Sequence, residues 1–166
     1  MTELSTATVT DVVVRMGELA ASASAGDVLV CVGLGSCIGL ALVCRDGRAC
    51  GLAHIVLPES SGREAERPAK YAEHAVPALV AALGALGAGP NSLDAVLVGG
   101  AQMFSMSTGM EIGARNEAAV RAALQGFGIP VTATATAGGV GRTVRVHVAT
   151  GNVTVREAGS IEETLR

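Results

Sequence analysis

Cys37 and His54 are the two residues whose types and setting suit covalent chemistry. Cys37 lies within a glycine-rich stretch, Gly33-Leu34-Gly35-Ser36-Cys37-Ile38-Gly39. A thiol attacks a carbonyl carbon as its thiolate, and near neutral pH it needs a base or a cation beside it. Glycines at 33 and 35 permit a sharp bend that holds a sulfur outward. Free backbone N–H groups in such a bend are placed to stabilise an oxyanion. His54 is the candidate base. It comes after the polar turn Arg45-Asp46-Gly47-Arg48, and an antiparallel return over that turn carries it back towards Cys37. The register of that return stays open, and so does a plainer reading. Cysteine is among the residues most often buried as a small hydrophobe, and a histidine in an apolar strand is usually structural.

The same glycines also suggest a phosphate cradle. A dinucleotide fingerprint wants its third glycine three residues after the second and a helix next. Here position 38 is Ile, the glycine comes at 39, and Leu40-Ala41-Leu42-Val43 reads as strand. No Gly-Lys-Ser/Thr is present, so a Walker loop is absent. Cys44 and Cys50, set among apolar residues, read as packing. His74 and His147 fall on polar faces and read as solvated. There is no CxxC pair and no HExxH, and Cys50 with His54 supplies only half a metal site. Neither a metal nor an organic cofactor is expected.

These residues need elements to position them. Val12 to Leu19 reads as a short strand and Ala20 to Gly26 as a small-residue linker. Val28 to Val32 is a β-rich buried strand, Ile38 to Cys44 a second, and Ala49 to Leu57 the returning strand that Pro58 ends. After a polar loop, Ser60 to Arg67, apolar residues at 72, 76, 79, 83 and 86 mark one face of a helix over about Pro68 to Leu86. Pro77 lies inside it, so the helix kinks there or its regular part starts there. Leu93 to Val98 is a strand that ends at Gly99-Gly100. Asn116 is placed to cap a helix over Glu117 to Leu124. Val131 to Ala137 is a Thr-rich strand. Val144, Val146 and Val148 alternate with polar residues, and Val153 to Val155 completes the set. The polar last ten residues read as frayed. The sum is an α/β chain: a single-domain layered sandwich with helices packed on mostly antiparallel or mixed β-sheets.

Composition excludes other classes. The 166 residues suit one domain, with a flexible N-terminus over 1–11, a domain over 12–156 and a polar C-terminal tail over 157–166. Tyr71, Phe104 and Phe127 are the only aromatics and the net charge is −3. Base stacking and phosphate tracking are therefore both poorly supported, and no nucleic-acid partner is expected. Mean hydropathy is high at +0.47. Yet the uncharged run Val28 to Cys44 is broken by glycines and falls short of the ~20 residues a spanning helix needs. No signal peptide is visible. A cytoplasmic protein without membrane insertion is expected, its four cysteines reduced.

The chain resembles the chemoreceptor glutamine deamidase family, CheD, from about Val14 to Val155. The blocks that carry the resemblance are Arg15-Met16-Gly17-Glu18-Leu19, Leu34-Gly35-Ser36-Cys37 and Ala53-His54-Ile55-Val56-Leu57-Pro58. They continue with Lys70-Tyr71-Ala72-Glu73, Gly99-Gly100-Ala101-Gln102-Met103-Phe104, Ile112-Gly113-Ala114-Arg115-Asn116 and Thr150-Gly151. The resemblance implies hydrolysis of selected glutamine side chains on methyl-accepting chemoreceptors to glutamate, with release of ammonia. It implies Cys37 as nucleophile through a thioester, His54 as acid and base, and an oxyanion held near Ser36 and Cys37. A third family position, a Thr six residues before the cysteine, is Cys31 here. A thiol is a poorer hydrogen-bond partner than a hydroxyl, which leaves the orientation of His54 to a backbone carbonyl or to a hydroxyl such as that of Ser36. The partners implied are chemoreceptor cytoplasmic domains and a CheC-type chemotaxis phosphatase. Two other functions remain open: a receptor glutamyl methylesterase using the same pair, and a protein kept mainly for binding the phosphatase.

Overall fold

The computed structural model describes residues 8–64, 66–103 and 111–166. Its centre is the run Ile38–Cys44 (β4), seven residues that are all buried. A strand reads as continuously apolar when both of its faces are covered, and β4 is covered on both. On either side of it lie Cys50–Ile55 (β5) and Leu93–Gly99 (β6), both antiparallel to it. Leu19–Ser22 (β2) extends the sheet beyond β5, and Val131–Thr136 (β7) runs parallel to β6 at the other edge. This first sheet has the order β2-β5-β4-β6-β7.

A second five-stranded sheet has the order β1-β3-β8-β9-β10. Its strands are Thr10–Val13 (β1), Asp27–Leu34 (β3), Arg142–His147 (β8), Asn152–Glu157 (β9) and Glu162–Thr164 (β10). In β8, Val144 and Val146 face inward while Thr143, Arg145 and His147 are half-buried. That alternation marks a sheet with one covered face.

Two helices, Ala72–Ala85 (α1) and Ile112–Gly126 (α2), cover the other face of the first sheet. Two apolar layers result. Leu40, Leu42, Leu79, Leu83, Leu97 and Leu124 fill the layer between helices and sheet. Leu29, Cys31, Leu34, Cys37, Leu52, Val98, Val144 and Val146 fill the layer between the sheets. Each fully buried leucine contributes about 1.5–3 kcal/mol over its exposed state, so the β4–β5–β6 platform is the stiff part of the molecule. The layered α/β sandwich with mixed sheets is the architecture expected from the sequence.

Several local expectations are corrected. Val12 to Leu19 is not one strand. Gly17, at φ +79°, turns the chain between β1 in one sheet and β2 in the other, and residues 20–22 of the supposed linker belong to β2. Helix α1 starts at Ala72: Tyr71 is still extended and bridged to Leu57, and Pro68 and Ala69 before it form a turn. The helix then runs through Pro77. Asn116 lies inside α2, which begins four residues earlier at Ile112. The C-terminal tail is not frayed: β10 pairs with β9, and the Arg166 guanidinium lies 3.0 Å from Asp94 of the other sheet. At the other end Thr10 and Asp11 lie in β1, and residues 1–7 of the segment 1–11 lie outside the described residues.

Candidate active site

The hairpin of β4 and β5 sets the register that the sequence left open. Ile38 pairs with Ile55 and Gly39 with His54. Directly paired residues point to the same face, and so do residues two apart on one strand. Cys37 lies in the bend just before β4, and its side chain packs in the layer between the sheets, the side to which His54, opposite Gly39, also points. There Cys37 packs with Leu34, Val98 and Val144. Gly39 has no side chain, and Leu34 and Val144 close in at the spot beside His54 where a Cβ would point. Among the described residues no hydrogen bond joins the Cys37 sulfur to the imidazole. Catalytic contacts of this kind are often long without substrate.

The imidazole is held on its other side. His54 Nδ1 lies 3.0 Å from the Val14 carbonyl oxygen. A carbonyl only accepts, so Nδ1 carries the proton and Nε2 is the basic nitrogen. The His54 main chain is fixed as well, by bonds from Gly17 N to His54 O and from His54 N to Glu18 O, each 2.9 Å. Glu18 in turn accepts from the Arg15 N–H and from Arg67, each at 3.1 Å. The Arg15–Glu18 turn is thus the cradle of the histidine. Nothing in its residue types announced that role.

Cys31 projects from β3 into the same layer. Neither Cys31 nor the Ser36 hydroxyl makes a hydrogen bond to His54 among the described residues; the backbone carbonyl of Val14 does. Ser36 contributes its own carbonyl, which accepts from Asn116 Nδ2 at 3.0 Å. Gly35 and Cys37 also have their carbonyls taken, by Ala101 N and Gly100 N at 2.9 Å. The turn's acceptors are therefore all tied back to the body of the protein. Arg142, buried on β8, donates to the carbonyls of Gly99 and Ala137 and so holds the Gly99-Gly100 corner against Cys37. Sequence reasoning missed both Asn116 and Arg142, and a buried arginine in an alternating strand is a signal only once burial is known.

The phosphate cradle does not exist: the glycine-rich turn leads into β4, not into a helix with free N–H groups. Cys50 and His54 sit four residues apart along one strand, about 13 Å, too far to share a metal. Among the described residues no three His, Cys, Asp or Glu side chains gather as metal ligands.

Electrostatics favour a neutral resting pair. Burial pushes the Cys37 thiol above its ordinary value, with its own backbone N–H pulling the other way. Burial pushes His54 down, opposed by the Val14 carbonyl and the Glu18 carboxylate. Cys31 is pushed up by burial first and by neighbouring Cys37 second. Without substrate, alkylation of Cys37 by iodoacetamide should be slow at neutral pH and rise with pH. Its midpoint should lie above the ordinary thiol value of about 8.5. Peptide mapping against pH reads it; a midpoint below neutrality would mean a preformed thiolate–imidazolium pair and contradict this assignment of charges.

His54 also lines a cleft of about 520 Å³ with Val13, Arg15, Met16, Val32 and Arg67 among its walls. Val13, Met16 and Val32 are 45%, 60% and 60% exposed, an apolar rim at the imidazole.

Comparison with known proteins fits this site to a family. The family described as CheD chemotactic sensory transduction matches residues 56–157. The Thermotoga maritima chemoreceptor glutamine deamidase CheD is 40% identical over 151 residues, 91% of this chain and 94% of that protein. The chain belongs to the CheD family. A probable chemoreceptor glutamine deamidase CheD of Symbiobacterium thermophilum is 44% identical over 158 residues, covering 92% of this chain and 95% of its own length. One from Clostridium botulinum is 42% identical over 139 residues, covering 80% and 85%. The Thermotoga alignment is too long for either terminus to leave positions 37 and 54 of this CheD-family chain outside it. A crystal structure of a Neisseria meningitidis protein of the DUF152 family is similar at 10% identity and a TM-score of 0.44, covering 76% of this chain and 62% of that one.

Proposed function

We propose that this CheD-family chain deamidates glutamine side chains on the cytoplasmic domains of chemoreceptors, with Cys37 as nucleophile and His54 as acid and base. The observation that supports this reading is that Cys37, in the bend before β4, and His54, opposite Gly39, face the same layer between the sheets, with Nδ1 already committed to Val14. Nε2 takes the thiol proton as sulfur attacks the carboxamide carbon. The tetrahedral oxyanion is met by the N–H groups of the Ser36–Cys37 turn. Nε2 returns its proton to the departing nitrogen, which leaves as ammonia, and a thioester remains on Cys37. Water then attacks the thioester and gives its proton to Nε2. The thiolate leaves, regains a proton, and glutamate is freed. Water is the only co-substrate, so the reaction calls for no metal or organic cofactor.

The family function supports the substrate class, since the relatives are named as chemoreceptor glutamine deamidases. The apolar rim around His54 suits the side chains that flank a glutamine on a receptor helix. Cys31 serves as a neutral packing group beside the nucleophile. A CheC-type phosphatase is the second partner, proposed on family membership; part of the Gly99–Phe104 block, Phe104 itself, lies outside the described residues. Receptor cytoplasmic domains place the reaction in the cytoplasm. Among the described residues no helix is long and apolar enough to cross a membrane.

The test is incubation with purified receptor cytoplasmic domains, then mass mapping of their glutamines. The expected product is the amide-to-acid mass change at selected sites, with matching ammonia. Loss of a methylene-sized mass instead would indicate a methylesterase, and no change on any receptor would leave the deamidase reading without support.

A further inference from the structure

The least explained group near the site is Asn116, a fully buried amide on α2. Its Nδ2 donates to two carbonyls, Ser36 O at 3.0 Å and Val56 O at 2.9 Å. Both partners can only accept, so the donor atom is the nitrogen. Its Oδ1 is buried and has no hydrogen-bond partner among the described residues. An unpartnered buried oxygen is a cost that a leucine of similar size would not carry. Packing alone therefore does not account for an amide here.

Resting on Cys37 as the nucleophile, we propose that Asn116 is a positioning residue that aims the Cys37 N–H at the oxyanion and holds the two catalytic strands in step. The Ser36 carbonyl and the Cys37 N–H are opposite ends of one planar peptide group. Holding the first end fixes the direction of the second. The neighbouring Gly35 and Cys37 carbonyls are tied by Ala101 N and Gly100 N, so this peptide plane has little room to flip. Among the described residues no backbone carbonyl takes the Cys37 N–H. A donor on the carbonyl end also polarises the N–H end, as linked hydrogen bonds do. The second bond, to Val56, lies two residues beyond His54 and clamps the strand that carries the imidazole. One side chain from the helical layer thus reaches both halves of the pair.

The close approach that this requires is built in by glycine. Gly113 lies one turn before Asn116, and a Cβ there would sit 2.5 Å from the Gly100 oxygen and 2.7 Å from the Ala101 oxygen. Without that glycine α2 could not lie near enough for Asn116 to reach the turn.

The test uses Asn116→Leu, close in size but unable to donate, and Asn116→Ser, which leaves room for water and keeps one hydroxyl. Both are assayed on receptor domains and by Cys37 alkylation against pH, beside wild type. The expected result for the leucine variant is a kcat lower by roughly 10-fold to 100-fold with KM nearly unchanged, as for a small misplacement of reacting groups. The alkylation midpoint should rise, since the Ser36–Cys37 peptide loses the donor that fixes and polarises its N–H beside the thiol, and the serine variant should fall between. Folded variants with wild-type kcat would overturn the proposal, and so would a fall in kcat with an unmoved alkylation midpoint. Loss of the fold in both variants would overturn it too, because Asn116 would then be holding the core rather than aiming the turn. If wild type releases no ammonia, the deamidase reading fails, while the alkylation comparison still decides what Asn116 does to Cys37.

Discussion

Cys37→Ala should release no measurable ammonia from receptor cytoplasmic domains, at least ~10⁴-fold below wild type, because the proposed thioester forms on its sulfur. The fold should survive. The side chain loses one sulfur at the margin of the inter-sheet layer, where Cys37 is 9% exposed, and such a change typically costs about 1 kcal/mol. The measurements are ammonia release and a thermal melt on the same preparation. Retained turnover in this variant would remove Cys37 as nucleophile, whatever the receptor chosen.

A second large effect is expected at a residue that has no side chain of its own. Gly99 ends β6 at φ +108°, and a Cβ built there would lie 2.2 Å from the Cys37 carbonyl oxygen. That oxygen is backbone, itself bonded to Gly100 N at 2.9 Å, so it cannot swing aside as a side-chain tip would. Gly99→Ala must push the nucleophile turn away from β6. Strain at φ and the displaced turn together should destabilise by roughly 2–4 kcal/mol, lowering Tm by on the order of 5–15 °C. Where the variant is still folded, kcat should fall by about 10²-fold, since the sulfur and its N–H move together. Gly47→Ala separates the two causes. Gly47 is also at positive φ, +76°, with nothing near its would-be Cβ, so it reports the cost of φ alone, roughly 1 kcal/mol, and leaves kcat untouched. Equal losses in the two variants would show that the contact with Cys37 matters little.

Both experiments probe a turn held by groups distant in sequence. The Cys37 carbonyl accepts from Gly100 N and the Ser36 carbonyl from Asn116, while His54 donates to the Val14 carbonyl. The site should therefore be more sensitive to a glycine on β6 or an amide on α2 than the candidate pair by itself suggests.

The amino-acid sequence by itself determined the platform and the candidate residues on it. The thiol, the imidazole and the glycine-rich bend were legible from residue types. The β4–β5 hairpin was legible because its signals are local: continuous apolar runs, a polar Asp46-Gly47 turn between them, and Pro58 after the return. Only the tertiary structure decided the register that puts Gly39 opposite His54 and so points His54 into the layer where Cys37 packs. A slip of one residue would have left the same composition with the two side chains on opposite sides of the sheet. The Arg15–Glu18 cradle, the reach of Asn116 and the buried Arg142 also depend on pairings between distant parts of the chain. No local propensity encodes such pairings. Asn116 shows the difference most plainly: local chemistry favours an asparagine as a helix cap, but its two donors found the carbonyls of Ser36 and Val56, which only the packed layers bring within reach.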